Sequence, residues 1–152
     1  MNNNDILRRV RYAFDYSDAQ MVKIFAHIEG DLETGQVSRW LKREDLDEFL
    51  PISDADLCRF LDGLIIEKRG PRPDGTTPAP LERLSSNEIL KKLRIALELR
   101  EDGMMEMFKN AGFVVTKAEL GSFFRKEGQR NFAKCPEQVL RKFLHGVGLA
   151  KR

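Results

Sequence analysis

The chain has 152 residues, 41% hydrophobic and 33% charged, with a formal net charge of +2, which suits one ordinary domain or two small ones and excludes a disordered or fibrous chain. The longest apolar runs, such as Leu64 to Ile66, are far too short to cross a bilayer, and MNNNDILRR lacks the apolar segment of a signal peptide. Cys58 and Cys135 stand at no CxxC or paired spacing, so a reducing cytoplasm is the expected setting.

The first element is a helix from about Asn4 to Tyr16, because Ile6, Leu7, Val10, Ala13 and Phe14 share one face at the helical period. Its opening NNNDILRRVR returns from Ser85 as SSNEILKKLR, offset by 83 residues, and the match runs ungapped to the C-terminus. Ile6, Leu7, Arg11, Ala13, Met21, Phe25, Glu44, Phe49, Phe60, Leu61, Gly63, Lys68 and Arg69 recur as Ile89, Leu90, Arg94, Ala96, Met104, Phe108, Glu127, Phe132, Phe143, Leu144, Gly146, Lys151 and Arg152. A duplication of this size fixes the architecture before any other reading. Asn2-x-x-Asp5 and Ser85-x-x-Glu88 read as capping boxes for the first helix of each copy.

Ser17-x-x-Gln20 opens the second helix, with Met21, Val22, Phe25 and Ile28 as its stripe and Met104, Met105, Phe108 and Ala111 in the second copy. A third helix is expected over residues 34–43 and 116–126, burying Val37, Trp40 and Leu41, and then Leu120, Phe123 and Phe124. A polar loop anchored by Phe49 or Phe132 leads into the fourth helix, whose stripe is Leu57, Phe60, Leu61, Leu64 and Ile65. Gly63 and Gly146 fall inside that helix, where glycine costs roughly 1 kcal/mol against alanine, and a close helix crossing would account for both. Residues 70–80, GPRPDGTTPAP, hold four prolines and no periodicity and read as a semi-rigid connector. The expected fold is all-α: two pseudo-symmetric units of about four helices each, over residues 1–69 and 84–152, joined by a Pro-rich linker at 70–83.

Charge is unequal between the copies. Residues 1–69 carry 10 Lys/Arg against 14 Asp/Glu, and residues 84–152 carry 14 against 8. An anionic partner meeting only the second copy would explain this, as would pairing of opposite charges or drift of solvated faces. The second and third helices together resemble a helix-turn-helix, which would expose Gln36, Ser38, Arg39, Lys42 and Arg43, and Glu119, Ser122, Arg125 and Lys126 in copy two, where Gly121 weakens the pattern. A wider basic set, Lys91, Lys92, Arg94, Arg125, Lys126, Arg130, Lys134, Arg141, Lys142, Lys151 and Arg152, could contact phosphates without reading bases. The phenylalanines of copy two lie on core phases, which argues against stacking on single strands. Arg11 and Arg94 stand beside the first helix's stripe and are expected to form structural ion pairs with Glu44 and Glu127.

No metal-ligand spacing surrounds His27 or His145, and no phosphate loop, HExxH or GxSxG motif is present, so neither a cofactor nor a metal is implied and no enzyme is expected. Cys135 precedes a proline at a helix start, where a thiol can have a lowered pKa, yet copy one has Ile52 there.

With the duplication, the N-[DE]-I-L-[RK]-[RK]-x-R start, WLKRE and FLDGLIIEKRG in view, the chain resembles the bacterial YehS-like family, a tandem domain of unknown function. The likeness spans nearly the whole chain and is most specific at Phe60 to Gly70. Copy two departs there with His145, Val147 and Gly148. The resemblance implies a bacterial cytoplasmic protein and carries no activity. The expectation is a non-enzymatic helical binding module with a nucleic-acid partner on its basic faces. The alternative is a protein-interaction adaptor, self-associating through opposite charges; no membrane or small-molecule partner is implied.

Overall fold

The computed structural model describes residues 1–151, which hold eight α-helices and no strand. The chain divides into two compact units, Met1–Leu84 and Ser85–Arg152. Unit 1 contains α1 (Asn3–Phe14), α2 (Asp18–Ala26), α3 (Gln36–Trp40) and α4 (Asp54–Arg69). Unit 2 contains α5 (Ser86–Leu97), α6 (Glu101–Asn110), α7 (Lys117–Phe123) and α8 (Glu137–Ala150). The chief packing is α2 on α4 and α6 on α8, with the first and third helices of each unit closing around these pairs.

Helix starts follow their caps. Asn2 with Asp5, Ser17 with Gln20, Ser85 with Glu88 and Thr116 with Glu119 each form a reciprocal capping box, satisfying the first orphan N–H groups. Both α1 and α5 end on a non-glycine residue in the left-handed region, Asp15 at φ 55° and Glu98 at φ 53°. Such a residue needs outside support. The Arg11 Nε donates to Tyr16 O at 3.1 Å, and Arg94 Nε donates to Leu99 O at 3.0 Å, so one arginine in each copy ties the helix to the turn it leads into.

A buried asparagine does most to shape the third helix and the loop behind it. Asn4 Nδ2 donates to Trp40 O and Leu50 O, both at 2.9 Å, and its Oδ1 accepts from Ile52 N at 3.1 Å. Asn87 repeats all three bonds 83 residues on, donating to Phe123 O and Ala133 O and accepting from Cys135 N. Bonds to Trp40 O and Phe123 O engage carbonyls in the last turn of α3 and α7. Both helices are therefore shorter than the expected 34–43 and 116–126.

The glycines mark close crossings. A Cβ on Gly63 would overlap the Ile24 carbonyl of α2, and a Cβ on Gly146 would overlap the Met107 carbonyl of α6. The inward set differs from expectation in a few places. Val22 is exposed and Ile24 is buried in its place, while Leu41, Ile65 and Phe124 are half-buried. The loop anchors are Ile52 and Cys135, and Phe49 and Phe132 lie half-buried instead. Residues after Gly70 join unit 1: Leu81 N donates to Cys58 Sγ at 3.4 Å and Leu84 N to Asp54 Oδ2 at 2.9 Å, so the connector's end is fastened to α4.

Candidate functional site

The bonds that Asn87 makes draw the N-terminus of α5, the end of α7 and the loop before α8 around one depression. Ser85, Asn87, Glu88, Lys91, Phe123, Phe124, Arg125, Lys126, Glu127, Phe132 and Lys134 line this groove, about 620 Å³ in volume. Four expected phosphate-contacting residues, Lys91, Arg125, Lys126 and Lys134, thus share one site. All four are exposed, and among the described residues none of their side chains has an ion pair or hydrogen bond. Two carboxylates interrupt the cations, and they differ in freedom. Glu88 is held by the Ser85 N–H and hydroxyl at 3.1 and 3.0 Å, whereas Glu127 is exposed on the rim. Half-buried Phe124 and Phe132 form the apolar part of the wall, and the Arg94 guanidinium lies over the Phe124 ring, 4.6 Å from its centroid.

Unit 1 contains the same depression with different chemistry. Asn2, Asn3, Asn4, Glu44, Phe49, Pro51 and Ile52 line about 520 Å³. Pro51 stands where unit 2 has Lys134. Arg8, the counterpart of Lys91, pairs with Asp5 and donates from Nη1 to Lys42 O at 2.7 Å. Arg43, the counterpart of Lys126, pairs with Asp45 at 3.4 Å. Asn2 Nδ2 donates to Glu44 across the mouth.

The chain matches a protein family described as "Protein of unknown function (DUF1456)" over residues 3–70 and again over 86–152. It belongs to that family. It is also 37% identical over 147 residues to the uncharacterised protein YehS of Escherichia coli strain K12, covering 97% of this chain and 94% of the relative. No solved structure matches. Each family match falls in one unit and takes in every groove residue there but the first, Asn2 or Ser85.

The other expected site residues scatter. The helix-turn-helix geometry is not formed: α3 has five residues, and nine separate Ala26 from Gln36, where that motif needs a turn of about 3–4 residues and a helix long enough for a groove. Gln36 accepts from Glu33 N in the turn before α3, Arg39 Nε donates to Glu48 O at 3.0 Å, and Lys42 and Arg43 lie beyond the helix end. Ser38 is exposed on α3. In unit 2, Lys92 is half-buried outside the groove, and Arg130 is exposed in the loop after Gly128. Arg141 and Lys142 belong to α8; Arg141 Nη1 donates to Gln138 Oε1, and Lys142 takes the place Arg59 has in α4. Lys151 is exposed at the end of α8, and Arg152 lies outside the described residues.

The expected pairs of Arg11 with Glu44 and Arg94 with Glu127 do not form. Arg11 pairs with Asp18 at 2.7 Å, Arg94 covers Phe124, and both spend Nε on the turn carbonyl. Arg59, missed by sequence reading, is buried and donates to Ile28 O and Gly30 O at the end of α2. Cys135 does not have the lowered pKa of a thiol at a helix start. Burial pushes it up to about 12, against a smaller lowering by the Leu140 N–H. His27 Nε2 meets Glu67 Oε1 at 2.7 Å, and that hydrogen bond is the main cause holding the Glu67 carboxyl below its usual range. Among the described residues no group of three or more His, Cys, Asp or Glu is placed to hold a metal, and no helix is long and apolar enough to cross a membrane.

Proposed function

We propose that this chain is a non-enzymatic, cytoplasmic binding module whose second unit binds nucleic acid in the groove lined by Lys91, Arg125, Lys126 and Lys134. The observation that carries this reading is the meeting of four exposed cations, none engaged by a side chain among the described residues, on one concave site. Surface cations on folded domains are commonly paired or dispersed. A set left unpaired on one groove raises the local anion concentration and suits a phosphate backbone. The same groove in unit 1 has its arginines engaged, which supports unit 2 as the binding half.

The test is fluorescence anisotropy of labelled duplex DNA, single-stranded DNA and RNA titrated with the full chain at about 50 and 200 mM salt. Four phosphate contacts imply a fall in affinity of about 50- to 150-fold over that interval. The Arg125→Glu/Lys126→Glu variant loses binding and the Arg39→Glu/Arg43→Glu variant retains it. No binding at the lower salt, where screening is weakest, refutes the reading.

A second reading, a protein-interaction adaptor or self-associating chain, is favoured by one observation. A second depression of unit 2, about 940 Å³, lies between α6 and the segment leading to α7 and presents Met105, Phe113 and Val114, the last 88% exposed. Sedimentation across a hundredfold concentration range checks self-association. A mass increase that Val114→Lys removes supports the adaptor.

A further inference from the structure

Resting on that reading, we infer that the unit 2 groove takes a single strand, with one unpaired base against Phe132 and the flanking phosphates on the four cations. Three features separate a single strand from a duplex. The first is shape. The site is a concavity of about 620 Å³, within the range of small-ligand sites, whereas a duplex presents its phosphates on a convex cylinder and would only straddle the rim. The second is the aromatic wall. Phe132 is half-buried in a loop, lines the groove, and joins no ring or cation stack among the described residues, so it is the aromatic available to a base. Phe124 beside it is already covered by Arg94, which leaves Phe132 as the platform. The third is Glu127. An exposed carboxylate among phosphate-binding cations opposes a duplex backbone, but it accepts hydrogen bonds from the amino and imino groups of a base edge. In a duplex, pairing consumes the imino N–H and one hydrogen of each amino group, whereas a single strand offers the whole edge.

Unit 1 supplies the comparison. Phe49 occupies the position of Phe132, yet Pro51 replaces Lys134, and Arg8 and Arg43 are committed to Asp5 and Asp45. Among the described residues, half-buried Lys42, at the position of Arg125, is the one cation left uncommitted at these four positions, too little to hold the flanking phosphates, so unit 1 is expected to be silent.

The experiment titrates the full chain against a labelled 12-nucleotide single strand, as DNA and as RNA, and against the duplex of the same sequence. The expected result is single-strand affinity roughly tenfold or more above duplex. Phe132→Leu keeps the apolar volume and removes the π face. It should weaken the single strand about 5- to 150-fold, the range of one base–aromatic stack, with an unchanged salt slope. Phe132→Trp, which preserves a stacking face, retains binding and guards against a folding artefact. Phe49→Leu is without effect. Duplex binding as tight as single strand, or a Phe132→Leu chain that binds as wild type, overturns the inference. In that case loss of binding in Arg125→Glu/Lys126→Glu still upholds the groove as a nucleic-acid site. Absence of binding to every probe at low salt overturns both.

Discussion

Replacing Gly146 or Gly63 by alanine sets two known effects against each other. In an exposed helix the change stabilises by roughly 1 kcal/mol, through backbone entropy alone. Here the added Cβ at Gly146 would lie 2.7 Å from the Met107 carbonyl carbon, and at Gly63 it would lie 3.1 Å from the Ile24 carbonyl carbon. The carbonyl oxygens lie closer still than these carbons, so the helices must separate by about 1 Å at Gly63 and by more at Gly146. The atoms in the way are backbone and cannot rotate aside. Such overpacking costs about 1–3 kcal/mol, and an opening of 0.5–1 Å forfeits about a quarter to a half of each van der Waals well across the crossing. Gly146→Ala should therefore destabilise by about 2 kcal/mol after the propensity gain, and Gly63→Ala by about 1 kcal/mol. Urea unfolding followed by circular dichroism measures both. Fluorescence of Trp40, the single tryptophan, reports on unit 1. A midpoint raised by either substitution would refute the close crossing.

Asn4→Ala should cost about 3 kcal/mol, because it strands an N–H and two carbonyls in a buried site, and Asn87→Ala about half that, because water reaches the half-buried Asn87. Equal losses by denaturant titration would contradict this. The Glu67 carboxyl, lowered chiefly by the His27 hydrogen bond, contributes stability above its unfolded pKa that is lost as pH falls through its lower folded value. Carboxyl NMR titration should find Glu67 below the usual range and His27→Ala should move it up; an unmoved value would remove the bond as cause. Cys58 and Cys135 are both buried, and the Cys135 pKa is pushed up to about 12, so neither should react with a thiol reagent at pH 8 until the chain is unfolded. Prompt labelling of the native chain would contradict the burial.

Much of the fold was legible because its signals are local. The capping boxes and the helical stripes depend on residues a few positions apart, the stripes departing only at residues such as Val22 and Ile65, and the repeat reinforces them by stating most of these signals twice. The third helix read too long because Leu41 and Lys42 are good helix formers, while the group that engages its last-turn carbonyl is Asn4, 36 residues away. The asparagine itself could have been found: it recurs at one position of both copies, inside a first turn where the capping role was already filled. Arg11 and Glu44 were paired on charge alone. Charge names a class of partner and not which member: the carboxylate present is Asp18, and Nε goes to a carbonyl five residues on, exposed by a left-handed turn that periodicity does not report. The groove was half legible. Its cations were named, but their convergence depends on the loop that Asn87 holds, and the half-burial of Phe132 goes with Cys135 taking the buried position.

The duplication separates what the fold requires from what it does not. Asn4 and Asn87, Arg11 and Arg94, and Gly63 and Gly146 are identical across the copies, and each pair makes the same framework contact. The groove differs by specific changes that free charge: Gly128 stands where Asp45 holds Arg43, Lys134 where Pro51 lies, and Glu88 makes only its capping bonds to Ser85 where Asp5, capping Asn2 likewise, also holds Arg8. If unpaired cations around a shared aromatic wall are what make a strand-binding groove, unit 1 is two substitutions from becoming one. Asp45→Gly releases Arg43, and Pro51→Lys supplies the missing cation beside Phe49. The double variant should bind two short single strands where the parent binds one, with the added site weaker because Arg8 stays engaged. Isothermal titration with a strand of about six nucleotides reads the stoichiometry directly. A ratio that stays at one in a folded variant would mean that releasing cations is insufficient, and that the unit 2 groove depends on a feature its charges do not express.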